Sequence, residues 1–253
     1  MAEYKMGFIG TGNMGSALAR AAAPKAGDLL LADHAPEKAR ALAAELGLLL
    51  KDVPPTSPAL VVGLGNRAIP PDAIGPGAAD HTLVTRHLVR QVPEHFGDLR
   101  PVASLSAGVL GTTGMESGEL VRAVSERLRP ACVIAVDALA SRSLKRVCRT
   151  VQLADTGIAP GSGVGNHRAA LDRASLGVPV IAVGVPTVVD GATLAADLLG
   201  TEELPPLGEG RDLMVTPKDI DSQVADLSKV IGYGIDLALQ PSLTLEDLDL
   251  LLS

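Results

Sequence analysis

The chain of 253 residues has no tryptophan and only 2% aromatic residues, although hydrophobic residues make up 47% of it. Its core must therefore be built from aliphatic side chains, and this length is sufficient for one large α/β domain or two small ones. Only two cysteines are present, Cys132 and Cys148. We expect both to be free thiols in a reducing compartment, because Cys132 adjoins an apolar run and disulfides belong to oxidising compartments.

An excess of positive charge is also missing, since the formal net charge is −7. This balance argues against a direct role in nucleic-acid binding, which requires basic surfaces. The sequence has no basic-then-apolar signal segment at its N-terminus and no apolar run long enough to cross a bilayer. We therefore predict a cytoplasmic protein that does not contact a membrane.

The histidines do not form a convincing metal-ligand pattern. His81 and His87 are on one predicted helix, but their spacing places them on different faces of it. The others, His34, His95 and His167, lie far apart in the sequence. We predict no metal site.

The first 53 residues carry a glycine-rich motif between a short apolar strand and a helix-like run. Gly10, Gly12 and Gly15 form the pattern G-x-G-x-x-G, and Asp33 ends the next predicted strand. Such glycines permit close approach of a pyrophosphate to a helix N-terminus, and the acid bonds a ribose hydroxyl. The motif predicts a partial Rossmann βαβ unit over residues 1–53 that binds NAD(P). The alternative is that the glycines serve only a strand-to-helix turn.

Residues 54–253 follow a proline-rich linker and alternate strands with helices. Continuous apolar runs at residues 59–65 and 133–136 are typical of strands that are buried on both faces of a parallel sheet. The intervening sequence predicts a polar helix at 78–91 and another helix at 187–199. We therefore predict an α/β domain with a mostly parallel sheet and helices on both faces.

Two aspartates are placed to act together. Asp137 directly follows the run 133–136, and Asp72 lies in the loop after the run 59–65. Because parallel strands end at the same edge of a sheet, both carboxylates can converge on one water molecule there. Two carboxylates that share a site cannot both ionise easily, so one can serve as a base and the other as an acid.

Other interpretations of these acids remain open from the residues alone. Asp137 can be a helix N-cap, and Asp72 can be a turn residue between prolines. Asp155 or Asp190 can replace Asp72 as the partner of Asp137. The glycine-rich loop at 161–165 can cradle a substrate backbone or an oxyanion, or it can be a simple connection.

Seven short segments of the second part occur together, in order, in one known family. They are residues 61–66, 71–76, 83–86, 108–114, 133–140, 155–166 and 184–190. On these segments the chain from Ala59 to its C-terminus resembles the germination protease family, the spore endopeptidases of endospore-forming bacteria. The usual Thr-Pro-Asp of that family is Pro70-Pro71-Asp72 here.

The resemblance implies a phosphorylase/hydrolase-like fold, shared with hydrogenase maturation proteases, and an atypical aspartic endopeptidase. It implies that Asp72 and Asp137 are the catalytic residues, and that proteolysis requires no cofactor. It also implies small acid-soluble spore proteins as substrates, the cytoplasm of the forespore or spore core as location, and a homo-oligomer. Family members carry an N-terminal region with a pro-segment that is removed on activation.

In the place of that region, about 47 residues resemble the N-terminal Rossmann unit of pyrroline-5-carboxylate reductases, most closely over residues 6–18. This second resemblance implies NAD(P) binding through Gly10, Gly12, Gly15 and Asp33. The sequence therefore leaves two alternatives to the protease: an NAD(P)-dependent reductase and an inactive fusion of the two parts.

Overall fold

Parallel strands form the centre of the main sheet in the computed structural model, which describes residues 6–7, 29–30, 35–161, 169–201 and 213–252. The strands, in chain order, are β1 (Met6–Gly7), β2 (Leu29–Leu30), β3 (Ala59–Leu64), β4 (Val102–Gly108), β5 (Cys132–Ser141), β6 (Gln152–Ala154), β7 (Val180–Asp190) and β8 (Met214–Val215). The main sheet has the order β4-β3-β5-β7-β6, and the first four of these strands are parallel. β6 and β8 pair antiparallel with β7, and β1 and β2 form a separate parallel pair. The predicted mostly parallel α/β class is confirmed.

Helices cover both faces of the main sheet, as the sequence predicted. The described helices are α1 (Ala35–Leu49), α2 (Ile74–Asp80), α3 (Arg86–Gln91), α4 (Pro93–Phe96), α5 (Leu110–Thr113), α6 (Ser117–Leu128), α7 (Arg173–Leu176), α8 (Gly191–Leu199), α9 (Ile220–Leu239) and α10 (Leu245–Leu252). Helices α1, α2 and α9 pack on one face of the sheet, and α6 and α7 pack on the other.

The core is aliphatic on both faces of the sheet. Val61 and Ile134 point to the face of α9, whereas Leu60 and Val133 point to the face of α6. All four side chains are fully buried. The two-sided burial explains why these strands are continuous apolar runs rather than alternating ones.

Helix α2 meets strand β3 backbone to backbone. A Cβ atom on Gly63 would lie 2.2 Å from the carbonyl oxygen of Gly75, a distance that no side chain allows. The two glycines therefore permit the helix N-terminus to sit directly on the strand, just after the loop that carries Asp72.

Helix α1 belongs to the same core as the residues that follow the proline-rich linker. Leu42 and Leu46 are fully buried in the cluster that contains Ile231 and Ile235 of α9. Except for β1 and β2, residues 1–34 lie outside the described part of the chain. The Rossmann unit and the division of the chain at residue 53 stay predictions.

Two predicted helices are wrong at their boundaries. The region 78–91 contains two helices, α2 and α3, because the Leu83 N–H donates to the Asp236 carboxylate at 2.9 Å and the Thr85 N–H to the Val102 carbonyl at 3.1 Å. The helix predicted from residue 187 begins at Gly191. Asp190 caps that helix, and the residues before it continue strand β7.

Candidate active site

Asp72 and Asp137 line the same cleft, next to the carboxyl end of β3. The cleft has a volume of about 280 Å³. That the two acids lie at one edge of the sheet was predicted from the positions of the strands, whereas their convergence on one water molecule and their catalytic roles stay predictions. An apolar wall completes the cleft, formed by Ile69, Pro71, Leu139, Ala140, Val188 and Met214.

Asp137 lies inside strand β5, level with Gly184 of β7. Its residue is only 5% exposed, and its Oδ1 atom accepts a hydrogen bond from the Ala138 N–H at 2.9 Å. The prediction that Asp137 ends the strand is wrong, because β5 continues to Ser141. The pairing of β3 with β5 is what stops there, at Val136. Since Asp137 is within a strand, it is not a helix N-cap.

A glycine in the left-handed region brings Asp72 to the cleft. Gly65 follows β3 with a φ of 107°, and a Cβ atom on it would lie 2.2 Å from the Asp72 backbone oxygen. Only glycine fits this turn. The chain then returns through a short 3-10 helix, Pro70–Asp72, so that Asp72 Oδ2 accepts the Asn66 N–H at 2.7 Å.

An ion pair holds the same loop to helix α2. Arg67 donates to both carboxylate oxygens of Asp80, with a distance of 2.9 Å to Oδ1, and to the Pro76 carbonyl at 3.3 Å. The hydrogen bonds to Asp80 raise the pKa of Arg67. Both charged side chains are more than half exposed, so the pair orients the loop and adds little to stability.

The alternative partners of Asp137 do not line the cleft. Asp190 is the N-cap of α8 and accepts the Thr193 N–H at 2.8 Å and the Thr193 hydroxyl at 2.7 Å. Although burial opposes ionisation of Asp190, these bonds outweigh it and lower its pKa. Asp155 is exposed after β6. Of the acids considered from the sequence, only Asp72 shares the cleft with Asp137.

Several predicted site residues lie outside the described residues. They are Gly10, Gly12, Gly15 and Asp33 of the cofactor motif and residues 162–165 of the glycine-rich loop; His34 and His167, for which no role was predicted, also lie outside. Gly161, at the start of that loop, does line the cleft. Within the described ranges, no group of three or more His, Cys, Asp or Glu side chains is placed to hold a metal ion.

Sequence reasoning missed the apolar wall of the cleft. Ile69 comes from the Asp72 loop, Leu139 from β5, Val188 from β7 and Met214 from β8, and no spacing in the sequence links these four residues. The only usable signal was the run Ala-Leu-Ala directly after Asp137, which continues the apolar character of the strand.

The arrangement is suited to proton transfer at a polar bond of a bound molecule. Two carboxylates line a partly apolar cleft, and such groups can act as general base and general acid. An apolar wall also strengthens electrostatic interactions with a bound substrate, because it excludes solvent from the site.

Comparison with known proteins identifies the family. A family model described as germination protease matches residues 31–201 of this chain. The germination protease of Clostridium perfringens (strain SM101) is 44% identical over 244 residues, covering 84% of this chain and 75% of that protein. The germination protease of Caldanaerobacter subterraneus subsp. tengcongensis is 42% identical and covers 89% of this chain and 78% of its own length.

Among solved structures, a NiFe hydrogenase maturation protease from Thermococcus kodakarensis aligns with 76% of this chain and 98% of its own, at 16% identity and a TM-score of 0.42. The family match begins at residue 31, before Ala59, and therefore includes helix α1, which packs in the common core. From the matched residues and the identity to curated relatives, the chain belongs to the germination protease family.

Proposed function

We propose that this protein is an atypical aspartic endopeptidase that hydrolyses small acid-soluble spore proteins, with Asp72 and Asp137 as its catalytic pair. The family supports proteolysis, and the observation that carries the mechanism is that both carboxylates line one cleft. An apolar wall beside them and an opening to solvent suit the binding of a polypeptide rather than of a buried small ligand.

The chemistry requires only the two acids and water. One carboxylate takes a proton from a water molecule as its oxygen attacks the carbonyl carbon of the peptide bond. The other, protonated, gives a proton to the departing amide nitrogen, and the C–N bond breaks. Each turnover leaves one carboxylate protonated and one ionised, in exchanged roles, so a proton must pass back between them before the next cycle.

The test uses Asp72→Asn and Asp137→Asn with a purified small acid-soluble spore protein as substrate. Each variant should lose about 100-fold or more of kcat/KM, the range that general acid–base groups contribute. Asp155→Asn is the matched control, because Asp155 is an exposed acid outside the cleft. Cleavage at the wild-type rate by either cleft variant, with unchanged thermal unfolding, would exclude the proposed pair.

We further propose that the protein acts as a homo-oligomer in the cytoplasm of the forespore or spore core, where its substrates are stored. Its family membership supports this location. Among the helices that the structure describes, none has the length and hydropathy needed to cross a bilayer. Sedimentation of the purified protein measures its oligomeric state.

Binding of NAD(P) through Gly10, Gly12, Gly15 and Asp33 stays a separate proposal. It is supported by the G-x-G-x-x-G pattern and the following acid in the sequence. Calorimetric titration with NADPH tests it independently of proteolysis. Binding that is lost in Gly12→Val would support a cofactor site. If no heat of binding is measured, the glycines serve only a strand-to-helix turn.

A further inference from the structure

Strand β5 has an open edge directly beside Asp137. Strand β3 pairs with it only from Cys132 to Val136, whereas β7 pairs with it as far as Ser141. Among the described strands, residues 137–141 therefore have a neighbour in the sheet only on the side of β7. Part of this segment, Ala138 to Ala140, lines the cleft that contains both acids.

The direction of the backbone groups along β5 can be followed from its start. The Val133 N–H donates to the Pro179 carbonyl at 2.9 Å, on the side of β7. Successive residues of a strand direct their N–H and C=O groups to opposite sides, so the even-numbered residues face the side of β3. The register shift between Leu139 and Ala140 places its extra residue, Thr187, on β7, so the alternation along β5 is kept. Ala138 and Ala140 therefore direct their N–H and C=O groups toward the side that β3 has left.

The same turn that carries Asp72 opens this edge. Gly65, with its φ of 107°, directs the chain out of the sheet after Leu64, and the chain returns with Asp72 at the cleft. The Ala138 N–H donates to the Asp137 carboxylate. Among the residues that the structure describes, the Ala138 carbonyl and the Ala140 N–H and carbonyl are the other backbone groups of this segment that face the edge, in line with the acid.

We propose that the substrate binds as an added β-strand along residues 138–140, so that main-chain hydrogen bonds to Ala138 and Ala140 place its scissile bond at Asp72 and Asp137. This inference rests on the proposed function and specifies the occupant as an extended, unfolded polypeptide segment. Strand addition is a known mode of peptide recognition that reads the main chain. At about 3.3 Å per residue, a peptide paired with Ala140 reaches the level of Asp137 within three residues.

Backbone methylation of a peptide substrate tests the pairing without altering the protein. The probe is a synthetic peptide that spans the bond cleaved in a purified small acid-soluble spore protein, in versions that each carry one N-methyl group. Methylation removes a donor, so positions that pair with the edge should lose roughly tenfold in kcat/KM, the effect of about one hydrogen bond. The sensitive positions should alternate along one side of the cleaved bond, because only every second residue faces the edge.

Equal sensitivity at successive positions, or none at all, would overturn strand addition while leaving the protease intact. Failure of the unmethylated peptide and of the intact spore protein to be cleaved would instead remove the proposed function itself. The two failures are therefore distinguishable in one set of assays.

A protein variant provides a second measurement. Ala140→Pro removes the N–H at the edge, and Ala140→Val is its control, since it keeps that donor and changes only side-chain size. Ala140→Pro should raise KM for the unmethylated peptide about tenfold relative to Ala140→Val, with a smaller effect on kcat. Equal KM values in two folded variants would overturn the role of Ala140, and the methylation series decides the question if Ala140→Pro does not fold.

Discussion

Polar side chains lie at both ends of the parallel sheet, but those at one end face a cleft and those at the other end bond one another. At the carboxyl end of β3, Asp72 and Asp137 line an open cleft. At the amino end, Gln240 accepts the Arg100 N–H at 2.9 Å and donates to the Arg100 carbonyl at 2.7 Å, while Thr85 Oγ1 accepts the Val102 N–H at 2.9 Å.

The amino end is a closed network. The Arg100 guanidinium donates to the carbonyls of Pro54 and Pro55 at 3.1 and 2.8 Å, and burial lowers the pKa of Arg100. Most of its polar groups are hydrogen-bonded to one another, and they fix the linker and the strand starts; among the described residues the buried Arg100 Nη1 has no hydrogen-bond partner. The two ends therefore differ in surroundings: the acids at the carboxyl end face a cleft, whereas the polar groups at the amino end face one another.

The largest effect on activity is expected from a substitution at Gly65, at the carboxyl end of the sheet. Gly65→Ala places a methyl group against the Asp72 backbone, so the carboxylate must move, and displacement of a catalytic group by about 1 Å can cost roughly 100-fold in kcat/KM. Gly177→Ala is the control, because Gly177 has a φ of 73° but no heavy atom within 4 Å of the added Cβ. The control should lose about 1–2 kcal/mol of stability from its left-handed backbone and keep its activity. Equal cleavage rates in the two variants would contradict this role for Gly65.

Breaking the closed end should affect stability and not cleavage. Gln240→Leu leaves the Arg100 N–H and carbonyl without their buried partner, which should cost about 1–3 kcal/mol in the free energy of unfolding by urea. Gln223→Leu is the matched control, because the half-buried side chain of Gln223 on α9 donates to the exposed Asp219 carboxylate and is not part of the Arg100 network. A loss of kcat/KM in folded Gln240→Leu would show that the two ends are coupled.

The buried Asp236 predicts a dependence of stability on pH. Burial raises its pKa well above 3.8, against the hydrogen bond from the Leu83 N–H. A carboxyl with a raised folded pKa contributes stability below its unfolded pKa, and this contribution is lost as pH rises through the folded pKa. Asp236→Asn keeps an oxygen acceptor and cannot ionise, so its unfolding free energy should rise relative to that of the wild type as pH increases above about 4, the unfolded pKa of an aspartate.

Asp247→Asn should show the opposite trend in the same urea series. The Thr244 N–H lowers the pKa of Asp247, so this acid contributes stability above its unfolded pKa and loses it as pH falls. The unfolding free energy of Asp247→Asn should therefore fall relative to that of the wild type as pH rises.

For Asp236, parallel curves of unfolding free energy against pH for the wild type and Asp236→Asn would mean that Asp236 titrates normally.

The smallest effect concerns the thiols. Burial raises the pKa of both Cys132 and Cys148 to about 11. At pH 8 only about one thiol in a thousand is then ionised, so a disulfide reagent should label the native protein slowly and the urea-unfolded protein rapidly. Mass spectrometry identifies the labelled residue. Fast labelling of Cys132 would show that the start of β5 opens to solvent, which would contradict a closed network at the amino end of the sheet.

The parts of the fold that were predicted from sequence depend on local patterns. Strand β3 and the start of β5 are apolar runs because both faces of the sheet are covered, and this is visible without knowledge of the rest of the chain. That Asp72 and Asp137 lie in one cleft was predictable because the carboxyl ends of parallel strands share one edge of the sheet, whereas their action as a pair stays a prediction.

The parts that could not be predicted depend on distant contacts. The break at Leu83 exists because its N–H meets Asp236, 153 positions further along the chain. Strand β3 ends before β5 does, and this difference opens the cleft. It depends on the turn at Gly65, which the sequence does not distinguish from the other glycines, 27 in all. The wall residues Leu139 and Met214 line one cleft because β5, β7, β8 and the Asp72 loop come together there.

The direct contact between Gly63 and Gly75 has a consequence for how the family can vary. Because α2 rests on the main chain of β3, the height of Asp72 above the sheet is set by peptide groups and not by the volume of any neighbouring side chain. Exchanges among valine, leucine and isoleucine elsewhere in the interior can then accumulate without shifting the acid. Relatives with little interior identity should therefore still superpose at these two glycines.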